Sequence, residues 1–151
     1  MHGLHVSPSG SADNMRRFAE PGASLDYEYL VDVDHPSGLF WYHAHAHGAT
    51  ALQVDGGLAG AIVVLDAPSE LAAPLAGMRE HVLVLQQFAF GGVEEEGNVE
   101  LLAAASKSDL PQALRNTAGR DVYYLVNGQL EPQLSVQRGE PRRLRFVNAG
   151  G

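Results

Sequence analysis

The chain has 151 residues, 45% of them hydrophobic, a length and composition that suit a globular protein of one ordinary domain or two partial ones and argue against disorder. Ten basic residues against 18 acidic ones leave a net charge of -8, so no electropositive surface is available to neutralise phosphates and nucleic-acid binding is excluded. There is no cysteine, which removes disulfides, thiolate metal sites and cysteine nucleophiles and restricts any metal to nitrogen and oxygen ligands.

Taken in order, the opening Met1-His2-Gly3-Leu4-His5 has neither the basic nor the apolar region of an export signal, and no segment approaches the roughly 18 apolar residues of a membrane span. Between Leu25 and Val33 the apolar positions Leu25, Tyr27, Tyr29, Val31 and Val33 alternate with Asp26, Glu28 and Asp32, which predicts a half-buried strand. A turn at His35-Pro36-Ser37-Gly38 leads into a second strand, Leu39 to His47. The Gly56-Gly57 break then leads into an apolar third, Ala59 to Leu65. Three strands separated by tight turns predict an antiparallel sandwich.

From Asp66 to Glu80 the composition shifts to Ala, Pro, Leu and Gly, with Pro68 and Pro74 interrupting any helix, as in a connection between domains. Strand patterns resume at His81 to Phe90, Val122 to Val126 and Leu144 to Val147, with Asn127-Gly128 and Arg138-Gly139 as turn signals. Gly91 to Gly97 reads as an acidic loop, and Val99 to Arg115 has helical spacing broken by Pro111. The expected organisation is a partial N-terminal domain over residues 1–66, a connection over 67–80 and a second partial domain over 81–151, all-β throughout.

The strongest chemical signal is Trp41-Tyr42-His43-Ala44-His45-Ala46-His47-Gly48. Side chains at i, i+2 and i+4 of a strand share a face, so His43, His45 and His47 are expected to line up. At about 3.3 Å per residue the outer two would lie roughly 13 Å apart, too far for one ion, whereas neighbours roughly 6.6 Å apart suit two members of a close metal pair. A lone strand histidine is usually solvated or structural. Three on one face, with small Ala44 and Ala46 opposite, favour metal binding. Imidazole ligands suit zinc, copper, iron or nickel, and spacing does not choose among them.

Gly38-Leu39-Phe40-Trp41-Tyr42-His43-Ala44-His45-Ala46-His47-Gly48, followed by Gly57-Leu58-Ala59-Gly60-Ala61-Ile62-Val63-Val64, resembles the second copper motif of laccase-like multicopper oxidases. His2-Gly3-Leu4 is similar to the end of that family's first motif, His-x-His-Gly, with Met1 at the variable position. Val126-Asn127-Gly128-Gln129 with Pro132, and Arg138-Gly139-Glu140 with Arg143 to Gly150, resemble the start of the family's second cupredoxin domain.

The resemblance implies a cupredoxin-like Greek-key β-sandwich, incomplete, followed by part of a second cupredoxin-like domain. It also implies a blue copper that passes single electrons to a trinuclear copper cluster, where dioxygen is reduced to water. By position, His2, His43 and His45 resemble ligands of the type 3 copper pair, half of the ligands the cluster needs, and His47 matches a histidine that is normally not a ligand. Asp13 stands where the family often places an acidic residue that relays protons, although Ser11-Ala12-Asp13-Asn14 also suits an Asx turn. Asp55 reads as a turn residue, His5 as a surface or supporting histidine, and His81 as structural.

The family's C-terminal His-Cys-His motif has no counterpart in these residues, so the resemblance implies an inactive fragment. Its partners would be the remainder of the oxidase with its C-terminal cupredoxin domain, dioxygen and a small reducing substrate. The resemblance points to a periplasmic or secreted setting. The competing readings are a non-catalytic copper or zinc binder and a sandwich with incidental histidines. Missing strands would leave open sheet edges, so the isolated chain is expected to associate.

Overall fold

A computed structural model describes residues 1–67, 69–71, 74–90 and 121–150. The expected acidic loop at Gly91 to Gly97 and the helical spacing at Val99 to Arg115 lie outside them. The described elements are β1 (Gly38–His43), α1 (Thr50–Asp55), β2 (Ala59–Val64), β3 (Arg79–Phe90), β4 (Asp121–Val126) and β5 (Arg142–Asn148). Strands with a single short helix make this the expected all-β, cupredoxin-like architecture.

β1 and β2 form a two-stranded antiparallel sheet, registered from Gly38 opposite Val64 to His43 opposite Ala59. Aromatic and branched residues on these strands, with Phe40 opposite Ile62 and Leu39 opposite Val63, suit the pleated surface they cover. The second sheet has the order β4-β3-β5. β3 is long enough to take different neighbours along its length: Arg79 to Leu85 pairs with β5, and Leu85 to Phe90 with β4. The two sheets meet where β1 touches β5 and β2 touches β3.

Asn127 and Gly128 both have positive φ, 51° and 74°, and Val126 and Gln129 exchange two backbone hydrogen bonds across them. This is the tight turn expected from Asn-Gly. The Asn127 side chain then prolongs the ladder on β3: its Oδ1 accepts from the Val84 amide at 2.8 Å and its Nδ2 donates to the Val82 carbonyl at 3.0 Å.

Three expectations are corrected. Leu25 to Val33 is not a strand, since among the described residues no strand runs beside it to complete a ladder. It is held instead by the loop before it, where Glu28 N–H donates to the Ser11 carbonyl and Arg17 donates to the carbonyls of Ser11 and Asp26 beneath a Tyr27 ring 5.1 Å away. The strand expected to run to His47 stops at His43. The link between β1 and β2 is not a tight turn but contains α1. The antiparallel pairing expected for the strands that became β1 and β2 is present, and the parallel β3–β5 pair makes the second sheet mixed.

Asp66, just beyond β2, anchors the two sheets. Arg143 Nη2 donates to its Oδ1 at 3.1 Å and Arg145 Nη2 to its Oδ2 at 2.7 Å, while Glu80 on β3 accepts from Arg145 Nε at 2.7 Å. Two carboxylates and two guanidiniums therefore alternate around one junction, and each planar fork meets oxygens it matches geometrically. The Arg143 guanidinium hydrogen-bonded to Asp66 holds that carboxyl below its usual range, against an opposing contribution from partial burial.

Candidate metal centre

His43 is the last residue of β1 and His2 lies beside the same strand. His2 N–H donates to the Trp41 carbonyl at 2.7 Å and Trp41 N–H returns to the His2 carbonyl at 3.4 Å, a short antiparallel bridge. Gly3 makes the following bend possible. Its φ is +80°, and a Cβ there would sit 3.1 Å from the Phe40 ring.

This bridge brings the indole of Trp41 into stacking contact with both imidazoles, with centroids 4.6 Å from His2 and 4.7 Å from His43, while the two imidazole centroids are 5.3 Å from each other. His2 Nδ1 and His43 Nε2 come to 3.2 Å. The other nitrogen of His43, Nδ1, is 2.9 Å from the Ala44 carbonyl, which can only accept, so that nitrogen carries the hydrogen and Nε2 keeps its lone pair directed at His2.

Beyond His43 the chain leaves the sheet. Ala44 N–H still reaches the Leu58 carbonyl at 3.0 Å, but Ala49 N–H and the Thr50 hydroxyl both bond back to the Ala46 carbonyl at 2.9 Å and start α1. The three histidines therefore do not share a strand face, a second correction to the expected Leu39 to His47 strand. The His43 and His45 rings are 5.6 Å apart and tilted by 58°, and the His45 and His47 rings are 5.4 Å apart at 83°. His45 still opens onto the same cleft as His2 and His43, a space of about 740 Å³, and His47 does not line it.

Asp13 lines that cleft as well. Its carboxylate takes a 2.8 Å ion pair from the α-amino group of Met1, and its backbone N–H donates to the Ser7 carbonyl at 2.9 Å. The Asx motif of this loop belongs to Asn14, whose Oδ1 accepts from Arg16 N–H at 3.1 Å. Burial pushes the Tyr29 phenol above its ordinary value, and the negative charge of Asp13 adds to that effect. Asp55 closes α1 ahead of the Gly56-Gly57 turn, and His81 is half-buried on β3 with Nε2 unpartnered among the described residues.

Three contributors to this region were not picked out from the sequence. Trp41 stacks against both imidazoles. Gln53 sits on α1, lines the cleft and keeps a buried side-chain oxygen without a partner among the described residues; a six-residue helix is too short for its periodicity to declare it. His35 was read as a turn residue, but its Nε2 accepts from the His5 backbone N–H at 2.9 Å.

Among the described residues no group of three or more His, Cys, Asp or Glu side chains closes around a point that could hold an ion. What the donor set does fit is the shared part of such a site. Two imidazole nitrogens 3.2 Å apart have about the separation of neighbouring donors on one ion with metal–nitrogen bonds of about 2.0–2.1 Å.

Compared with known proteins, residues 1–69, which contain His2, His43 and His45, match the multicopper oxidase family. These residues, just under half of the chain, are similar to those of multicopper oxidases. It is 28% identical to a laccase of Bacillus subtilis over 160 aligned positions, covering 97% of this chain and 30% of that protein. It is 29% identical to a multicopper oxidase of Staphylococcus haemolyticus over 97% of this chain and 29% of that protein, and 35% identical to one of Phaeosphaeria nodorum over 66% and 19%. The chain thus spans less than a third of the length of these multicopper oxidases. No helix among its described residues is long and apolar enough to cross a membrane.

Proposed function

We propose that this chain contributes His2, His43 and His45 as copper ligands to a laccase-like oxidase centre, with the remaining ligands supplied by other parts of a longer oxidase. The observation that carries this reading is the meeting of His2 Nδ1 and His43 Nε2 at 3.2 Å, from positions 41 residues apart, on the edge of a cleft that His45 also lines. His43 and His2 would hold one ion between them and His45 would face its neighbour. Copper bound in such a centre supplies one-electron transfer from a reducing substrate and reduction of dioxygen to water.

The chain's own residues would do the rest. Trp41 orients both imidazoles by stacking against them, and the Ala44 carbonyl fixes the His43 tautomer so that Nε2 is free to ligate. Asp13, at the cleft wall, would hold or relay a proton at its carboxylate. Domain division follows the same reading: residues 1–66 as part of a first cupredoxin domain, 67–80 as a connection and 81–151 as part of a second. A periplasmic or secreted setting belongs to it too.

No cysteine occurs in these 151 residues, so they hold no blue copper ligand of that type, and the chain by itself is expected to bind copper without oxidising phenols. The test is copper titration of the purified chain beside His2→Ala and the double variant His43→Ala with His45→Ala. Loss of copper affinity in both is expected. Unchanged affinity in both would leave only a sandwich with incidental histidines. A second reading, a non-catalytic copper or zinc binder, rests on the same pair of imidazole nitrogens taken alone. Oxygen reduction after the chain is joined to the missing length of such an oxidase would exclude it.

A further inference from the structure

We infer that His35 is a positioning residue for His2, acting as a fixed hydrogen-bond acceptor that locks the backbone of residues 2–5 against the start of β1. This rests on the reading of His2 as a copper ligand. The His35 ring is fully committed. Its Nδ1 is 2.8 Å from the Pro36 carbonyl, which can only accept, so Nδ1 carries the hydrogen; Nε2 is then an unprotonated acceptor, and the His5 backbone N–H donates to it at 2.9 Å. The ring packs against two neighbours, the His5 imidazole at 5.0 Å and, edge-to-face, the Phe40 ring at 5.1 Å. Phe40 in turn lies under Gly3, whose left-handed backbone turns the chain between His2 and His5.

The segment is thus fastened at two points: His2 on Trp41 by two backbone bonds, and His5 on His35 by one. Two fastenings matter for a ligand because the bridge at His2, whose second bond is a long 3.4 Å, restrains the segment that follows only weakly. A shift of about an ångström in its ring would break the 3.2 Å relation to His43. His35 touches no ligand ring itself. It reaches the centre only through the main chain of residues 2–5, and that is why neither spacing nor motif revealed it.

The test compares the wild-type chain with His35→Ala, His35→Gln and His2→Ala. Glutamine places an amide oxygen near the position of Nε2 and can accept from His5 N–H. Copper(II) affinity is read by competition with a chelator, and amide exchange at His5 is read separately on the metal-free chain. The expected result is roughly tenfold weaker copper binding and faster His5 exchange in His35→Ala, with both largely restored in His35→Gln and melting temperatures of the two variants alike. Equal affinity in His35→Ala and wild type, or equal weakening in both His35 variants, overturns the inference. Should wild type bind no copper, or His2→Ala bind as well as wild type, the copper reading falls instead; the positioning claim for His35 is then decided by exchange at His5, and unaltered exchange in His35→Ala overturns it.

Discussion

Tyr42 lies opposite Gly60 on the paired strands β1 and β2, and its ring covers the bare Cα so closely that an added Cβ would meet ring atoms at 2.5 Å. Glycine is required here by the tyrosine rather than by the backbone. Gly60→Ala should force the half-exposed ring off its rotamer at a cost of about 1 kcal/mol, seen as a melting temperature lower by a few degrees. The companion Gly60→Ala with Tyr42→Ala should recover part of the loss. A double variant no better than the single one would show that the clash is not the cause.

The junction around Asp66 predicts acid sensitivity. A carboxyl held below its unfolded-state value adds stability that is present above that value, about pH 3.9, and is lost as pH falls through the lower folded value. Urea midpoints of the wild-type chain should therefore drop steeply below about pH 4, while Asp66→Asn starts lower at pH 7 and changes less over the same window. Parallel curves for the two proteins would remove Asp66 from the explanation.

Asn127 serves both as a turn residue and as a ladder extension. Asn127→Gly keeps the positive φ but deletes the bonds to Val84 and Val82, for a loss of about 1–3 kcal/mol in denaturant melts. Asn127→Ala loses the bonds and also strains the turn, so it should be less stable than Asn127→Gly. The reverse order would mean that the side-chain bonds contribute little.

One face of the β4-β3-β5 sheet is open to solvent. Tyr124 is 58% exposed and Phe146 is 55% exposed on that face, and among the described residues the buried apolar side chains are limited to Ala12, Tyr123, Val147 and Ala149. An apolar sheet face without cover promotes association. Light scattering on the isolated chain should show concentration-dependent oligomers, and Tyr124→Lys with Phe146→Lys should shift the distribution toward monomer. Monodisperse wild-type protein at high concentration would contradict this.

β2, β3, β4 and β5 could be read from the sequence because each is an apolar or alternating run bounded by Gly, Pro or Asn-Gly. Other features depend on neighbours that periodicity does not encode. Leu25 to Val33 alternates as a strand should, yet alternation describes which side chains could face a core, not whether a second backbone lies alongside to pair. The end of β1 was hidden because Ala44 to His47 continues the alternation while the turn is dictated further on, where Gly48 has a φ of +88°. At the candidate site the histidine types and their order were apparent, and the Trp41 bridge, the Gln53 side chain and the His35 contact were not, since each joins residues set apart by a loop or helix whose path only the folded chain reveals.

The parallel pairing of β3 with β5 also sets an order of assembly. Arg79 finds Arg142 only after the 62 residues between them have been made, whereas His2, Trp41 and His43 fall within the first 43. Loop closure over the shorter span costs less entropy, so the imidazole-bearing corner can take shape on a nascent chain while the strand that carries Arg143 and Arg145 is still inside the ribosome. A metal could meet its first two nitrogens before the salt-bridged seam exists.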